Sequence, residues 1–497
     1  MPPGLILAID QGTTNTKALL VARSGQPVFR ASYPVAFVNG ADVHVEQDPL
    51  ALWESVSKAI AECVLYAARS SESIEAVAIS NQRETAIAWD AETCRPIAHA
   101  IGWQCGRSAE ICQRLKPQAE TIRAKTGLPL ATLISAGKWA WLLENNAAAQ
   151  ACEKAGTLRL GTVDSWLLHQ FTNGRLHATD FSNASRTGIL NLDRLAWDDE
   201  LLDLFKIPLA SMPELRSSSG SFGKCCSISG LEGVPILAAI GDSHAAMFGH
   251  GRYGPGTAKA TYGTGSSLMA LTPSLAADLP ALARTIAWSI DGRTQFALEG
   301  NIAMTGSAVQ WVGEFLQLAD PAKEAASLAA TVKDADGVYF VPAMVGLGAP
   351  HWDAAARGTI TGLGRAHGAA NLAHAAVDAI AYQVTDVFIA MKEACGLNIP
   401  ALHADGGATR NSTLMQFQAD ILGKPVLRSA NEELSAVGAA WLAGLALGWW
   451  ASLAELAELP HLVDRFSPSM ERMERDRLYS GWKTAVKHAR SIAEDGE

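Results

Sequence analysis

The stretch Leu5 to Leu20, LILAIDQGTTNTKALL, constrains the fold more than any other part of the chain. Two apolar runs, Leu5 to Ile9 and Ala18 to Val21, have the length of buried strands and flank a mostly polar segment. The pattern predicts a β-hairpin with chemistry at its tip. Gly12 opens backbone angles closed to other residues and leaves the main chain bare, so that the N–H groups around Thr13 and Thr14 are free to face phosphate oxygens. Asp10, ending the first strand, is placed to hold a hydrated Mg²⁺. A polar turn without any ligand accounts for Asp-x-Gly-Thr equally well, so the decision falls to the rest of the chain.

A chain of 497 residues with 48% hydrophobic content is long enough for about two to four domains with sizeable cores. The net charge of −10 and pI near 5.7 argue against a nucleic-acid surface, and there is no basic run to form one. The cysteines (Cys63, Cys94, Cys105, Cys112, Cys152, Cys225, Cys226, Cys395) lack Cys-x-x-Cys spacing and read as reduced thiols. No basic N-terminal region precedes a long apolar stretch, so a cytoplasmic protein is expected. Leu434 to Trp450, the most apolar segment, is too short to span a bilayer and reads as a buried helix.

Further along, Asp48-Pro49 is a helix-start signal for a helix ending near Arg69. Ile74 to Ile79 is an apolar strand running into Ser80-Asn81-Gln82-Arg83-Glu84-Thr85, a polar cluster of the kind that binds ligands at strand ends of open α/β sheets. Trp103 follows a second strand end, Ser135 to Asn146 reads as a helix, and Asp164 or Ser165 is expected to cap another. Val234 to Ile240 is a buried strand ending at Gly241-Asp242-Ser243. An acid there suits a general base, or simply a helix cap. From Gly249 the pattern restarts: Ala258 to Leu268 repeats the strand, glycine turn and strand of the opening hairpin, with Thr264 and Gly265 in the turn. Asp405-Gly406-Gly407 precedes a helix from Ser412 to Leu422 whose N-terminal N–H groups are available for a phosphate or an adenosine.

Taken together, these segments resemble the FGGY family of carbohydrate kinases over nearly the full length, and within it the glycerol kinases most. The resemblance rests on Asp10-Gln11-Gly12-Thr13-Thr14, Asn81 to Thr85, Gly161 to Trp166, Thr179 to Thr187, Gly241-Asp242, Tyr262 to Gly265, Gly346 to Pro350, Asp405 to Ala408 and Leu414 to Leu422. It implies an α/β protein of two actin-like (ribonuclease H-like) domains with ATP and substrate in a cleft between them. The N-terminal domain, residues 1–248, would form the substrate and phosphate side, and the C-terminal domain, residues 249–497, the adenosine side. By position, Thr13, Thr14, Thr264, Gly306, Gln310, Gly407 and Asn411 match the family's nucleotide contacts, and Lys17 stands where a basic residue lies near the phosphates. Arg83, Glu84 and Trp103 match acceptor contacts, and Asp242 matches the base.

The departures concern the acceptor. The family's substrate-facing tyrosine, glutamine and phenylalanine fall on Leu133, Ser243 and Ser267, which implies a roomier pocket with new hydroxyls at two positions; Cys105 replaces the usual aspartate after Trp-Gln. The expected activity is ATP- and Mg²⁺-dependent phosphorylation of a hydroxyl of a small polyol or sugar, with true glycerol kinase as the near alternative. An actin-like nucleotide switch or an inactive sugar sensor is the alternative of another class. Neither nucleic acid nor membrane is an expected partner, and a homo-oligomer is possible.

Overall fold

The computed structural model describes residues 4–39, 44–275, 279–396 and 398–491, which divide into two compact units. The first takes the chain up to Tyr253 together with Arg284–Ala297 and Glu433–Pro460; the second holds Gly254–Ala283, Leu298–Glu432 and the chain from His461. A boundary at Gly249 read along the chain does not anticipate the Glu433–Pro460 stretch, whose helix Leu434–Leu447 packs on strands formed much earlier.

In the first unit, β1 (Gly4–Gln11) and β2 (Asn15–Ala22) form the expected antiparallel hairpin, with Asp10 opposite Lys17. β3 (Pro27–Pro34) pairs with β2. β4 (Ser73–Asn81) runs parallel to β1 and sets Ser80 beside Asp10, and β5 (Ile236–Gly241) runs parallel to β4 and sets Gly241 beside Asn81. The sheet order is β5-β4-β1-β2-β3. Leu5 to Ile9 are wholly inaccessible, as expected of a strand covered on both faces, which is why this run is continuous rather than alternating.

One face is covered by α1 (Pro49–Ser70), which starts where Asp48 accepts a hydrogen bond from the Leu50 N–H and buries Leu52, Val56, Ala59, Ile60 and Cys63. α2 (Ser135–Asn145) carries a buried face of Ala136, Trp139, Ala140, Leu142 and Leu143. α3 (Asp242–Gly249) leaves the end of β5. Helix Leu434–Leu447, read from sequence as buried, packs on α3 so closely that a Cβ on Gly438 would lie 1.9 Å from the Ala245 carbonyl oxygen. No helix among the described residues is long and apolar enough to cross a membrane. Helix Val163–Phe171 has Thr162 at its cap position rather than Asp164 or Ser165, which lie inside the helix, the buried Asp164 carboxylate accepting from Thr162 and Thr179.

The second unit repeats the plan. β6 (Ala258–Tyr262) and β7 (Ser266–Thr272) make another antiparallel hairpin. β8 (Arg293–Ile302) lies beyond β7, its Leu298–Ile302 half belonging to this unit. α4 (Gly306–Phe315) and α5 (Ala369–Cys395) follow. β9 (Leu402–Asp405) is parallel to β6, α6 (Ser412–Leu422) follows it, and β10 (Val426–Ser429) is parallel to β9, with β11 (Val463–Phe466) at the edge. The order β8-β7-β6-β9-β10 thus matches β3-β2-β1-β4-β5. Each unit has its own core: Leu5, Ile9, Ile60, Ile79, Trp166 and Phe171 in the first, and Tyr262, Leu268, Ile380, Val384, Leu402 and Met415 in the second.

Candidate active site

In the first unit the predicted residues collect where β1, β4 and β5 end. Asp10 accepts from the Ser80 hydroxyl at 3.0 Å, and its carboxyl is pushed up to about 6, first by burial and then by the nearby Asp242 carboxylate. Asp242 opens α3 and accepts from the Ser243 N–H at 2.6 Å, while Arg83 Nε lies 3.3 Å from Asp242 Oδ1. The Arg83 side chain passes directly over Gly241, where a Cβ would meet its Cδ at 2.7 Å. That contact explains the glycine before the acid. Ser435 donates to the Asp242 carbonyl at 3.1 Å and ties α3 to helix Leu434–Leu447.

Glu84 occupies the left-handed region, φ 59°, which turns its side chain back into the protein. Its Oε1 accepts from Arg186 Nε at 2.6 Å, both residues being almost completely buried. Its carbonyl accepts from Ser135 Oγ at 3.1 Å and from Lys138 Nζ at 3.3 Å. Lys138 also bonds the carbonyl of Leu133, the position of the family's missing tyrosine. Arg186 and Lys138 were not singled out from sequence. The available signals were a lone lysine immediately before the apolar run Trp139-Ala140-Trp141 and an arginine inside the Thr179 to Thr187 segment.

A closed ring of hydrogen bonds joins the hairpin turn to Trp103. The Thr13 carbonyl accepts from Gln47 at 2.7 Å, Gln47 Oε1 from Gln82 at 2.8 Å, and Gln82 Oε1 from Thr85 at 3.1 Å. Thr85 Oγ1 then accepts from the Trp103 N–H at 3.2 Å, and the Trp103 indole donates to Thr13 Oγ1 at 3.0 Å. With its N–H engaged, Trp103 has its apolar surface to offer a ligand. Thr14 is exposed at the tip.

One expectation changes. Gly12 has no positive φ; a Cβ there would sit 3.1 Å from the Asn15 carbonyl oxygen that its N–H bonds at 3.0 Å, so close approach rather than handedness accounts for the glycine. Lys17, read as a cation near phosphates, faces Asp10 across the hairpin, where its charge opposes the rise of that carboxyl, and it also pairs at 2.7 Å with Glu433 Oε2, whose other oxygen Arg30 holds at 2.9 Å.

The remaining predicted residues lie in the second unit. The turn Gly263-Thr264-Gly265 docks on the start of α4: the Thr264 carbonyl accepts from the N–H groups of Thr305 and Ser307 at 3.0 and 3.1 Å, and Gly306 donates to Gly263 at 3.0 Å. A Cβ on Gly306 would meet the Gly263 oxygen at 2.6 Å. Gln310 is held by Glu314 at 2.8 Å on the exposed side of α4. Gly407 has open space where a Cβ would stand, and Asn411 caps α6 by accepting from the Leu414 N–H at 3.1 Å. Ser267 donates to Oε1 of the buried Glu299 at 2.9 Å, so its hydroxyl offers a ligand its lone pairs and not its proton.

Among the described residues no group of three or more His, Cys, Asp or Glu side chains is arranged to hold a metal. Mg²⁺ bound with a nucleotide needs only one or two carboxylates beside the phosphates, and the mutual repulsion of Asp10 and Asp242 fits such a cation. The described cysteines, Cys105 included, are free thiols.

Residues 5–249 match the model of the FGGY family of carbohydrate kinases, N-terminal domain, and residues 258–447 that of its C-terminal domain. The chain belongs to the FGGY family of carbohydrate kinases. It is 43% identical over 496 residues to a glycerol kinase of Symbiobacterium thermophilum, covering 99% of this chain and 100% of the relative. It is 44% identical over 499 residues to one of Burkholderia multivorans, with 99% of each chain covered. The crystal structure of Plasmodium falciparum glycerol kinase with ADP superposes with a TM-score of 0.91 at 30% identity over 98% of both chains. The xylulose kinase of Lactobacillus acidophilus shares the fold, with a TM-score of 0.85 at 22% identity over 99% of this chain and 98% of that one. This FGGY kinase is therefore a phosphotransferase that uses ATP to phosphorylate an alcohol group of a small polyol or sugar.

Proposed function

We propose that the acceptor is a polyol or keto-sugar of four or five carbons and that Asp242 is the general base. The observation that carries the base assignment is the Arg83–Asp242 pair at adjoining strand ends, 3.3 Å apart. Asp242 takes the proton of the attacking hydroxyl as its oxygen bonds to the γ-phosphorus and the bond to ADP breaks. Arg83 and Glu84 hold the other hydroxyls, and the carbon edge packs on Trp103. Thr13 and Thr14, and Thr264 and Gly265, hold phosphates through bare main chain, while Gly306, Gln310, Gly407 and Asn411 receive the nucleoside. Mg²⁺ beside Asp10, when bound, neutralises phosphate charge. The protein works in the cytoplasm.

Leu133 and Ser243 support the longer acceptor, since each offers less to a three-carbon substrate than the tyrosine and glutamine of the resemblance. Ser267 supports it less than sequence suggests, because Glu299 already takes its proton. Together with the glycerol kinase relatives, that bond favours glycerol as the second reading. ADP release with glycerol, erythritol, xylulose and ribulose separates the two: a higher kcat/KM for a longer acceptor supports the first, and glycerol as the best acceptor overturns it.

A further inference from the structure

We propose that Lys138 is the positioning residue of the acceptor clamp, fastening the turn that presents Glu84 to the segment that presents Leu133. The inference rests on the acceptor roles proposed above for those two residues. Lys138 is completely buried on α2, and its Nζ lies 3.3 Å from the carbonyl oxygens of both Glu84 and Ile134 and bonds that of Leu133. An ammonium has three N–H donors, and three carbonyls receive them. One belongs to a residue in left-handed backbone, a conformation that persists in a non-glycine residue only when its surroundings hold it. Ser135 gives the same Glu84 carbonyl its second donor at 3.1 Å.

A buried lysine that merely fills space is replaceable by an apolar side chain at little cost. Here the ammonium joins the segments that carry Glu84 and Leu133, which gives the charge a task beyond packing. The ionisable groups around it are the Glu84 carboxylate, itself paired with Arg186, and the Cys105 and Cys112 thiols. Burial draws the ammonium down to about 7, with Glu84 opposing. Below pH 7 the three donors match the three carbonyls; above it a neutral amine has two N–H groups, and one carbonyl loses its partner.

The test is acceptor saturation from pH 6 to 8.5, using whichever of glycerol, erythritol, xylulose and ribulose gives the highest kcat/KM. The acceptor KM of the wild type is expected to rise about 3- to 10-fold with pH while the ATP KM changes less than about twofold. Lys138→Met is expected to raise the acceptor KM about tenfold at pH 6 and to flatten the profile. Thermal melting reports whether this variant folds. If it does not, Ser135→Ala takes its place and is expected to steepen the wild-type profile. A flat wild-type profile, a folded Lys138→Met with wild-type KM, or one that keeps the pH dependence overturns the proposal. Glu84→Gln separates the layers: unchanged acceptor KM there overturns the clamp itself, whereas a raised KM beside an unaffected Lys138→Met overturns only the role of Lys138.

Discussion

The two hairpins of this kinase have the same three-residue turn and differ in what supports it. Gly12-Thr13-Thr14 is closed by a Gly12 N–H to Asn15 bond of 3.0 Å, and Gly263-Thr264-Gly265 by a Gly263 N–H to Gly265 bond of 3.0 Å. The first turn is held mainly by side chains, Gln47 on the Thr13 carbonyl and Trp103 on its hydroxyl, with the Val35 N–H on the Thr14 carbonyl. The second is held mainly by main chain, the N–H groups of Thr305, Gly306 and Ser307. Two residues before each turn glycine stand Asp10 and Thr261, and the facing positions on the next strand are Ser80 and Asp405. One topology therefore carries Asp10 and a turn braced mainly by side chains in one unit and a backbone cradle in the other. The first can change its chemistry by substitution, and the second is restricted mainly by the space around its backbone.

The largest expected break in this comparison is Asp242→Asn, which should lower kcat by about 10²–10⁴ while leaving ATP binding measurable by calorimetry. Near-normal turnover would remove the chemistry from the first unit. Next comes a matched pair of glycine substitutions. Gly306→Ala drives a Cβ to 2.6 Å from a backbone oxygen, and Gly241→Ala drives one to 2.7 Å from the Arg83 side chain. Each should cost about 1–3 kcal/mol of local fit. The first should raise mainly the KM for ATP and the second mainly that for the acceptor; the same pattern from both would erase the division of labour.

A smaller effect is expected from Trp103→Phe, which keeps an aromatic face and removes the donor to Thr13. A loss of about 0.5–1.5 kcal/mol, or roughly 2- to 10-fold in kcat/KM, is expected, and an unchanged value would show that the ring of hydrogen bonds does not steady the turn.

The smallest effect concerns stability. Asp10, at about 6, binds a proton more tightly folded than unfolded, so folding loses stability as pH rises from about 4 to 6. Asp10→Asn removes that loss. Its melting temperature relative to wild type should gain about 2–4 °C between pH 4 and pH 7, and a constant difference would refute the upward shift of this carboxyl.

Both hairpins, the cap at Asp48 and the strand-end position of Asp242 were legible in the sequence because they are local: periodicity and turn chemistry act over a few residues. The partners that engage the site's donors were not. Lys17 is engaged by Glu433, 416 positions away, Trp103 by Thr13 at 90, and Arg186 by Glu84 at 102. A residue type at a strand end reveals what chemistry is available, whereas the partner already bonded to it depends on segments that meet only after folding. The split of the first unit into three stretches was hidden for the same reason.

That split has a consequence for how the protein is made. The helix Leu434–Leu447, which packs against α3 and holds the Asp242 carbonyl through Ser435, leaves the ribosome roughly 190 residues after α3 does. At usual elongation rates the sheet of the first unit therefore waits about 10–40 s with one apolar surface uncovered. An apolar surface left open for that interval is prone to aggregate unless it is covered. A truncation just before Leu434 would leave a first unit that contains every acceptor-facing residue assigned here except Ser267, which belongs to the second, yet cannot close its own core.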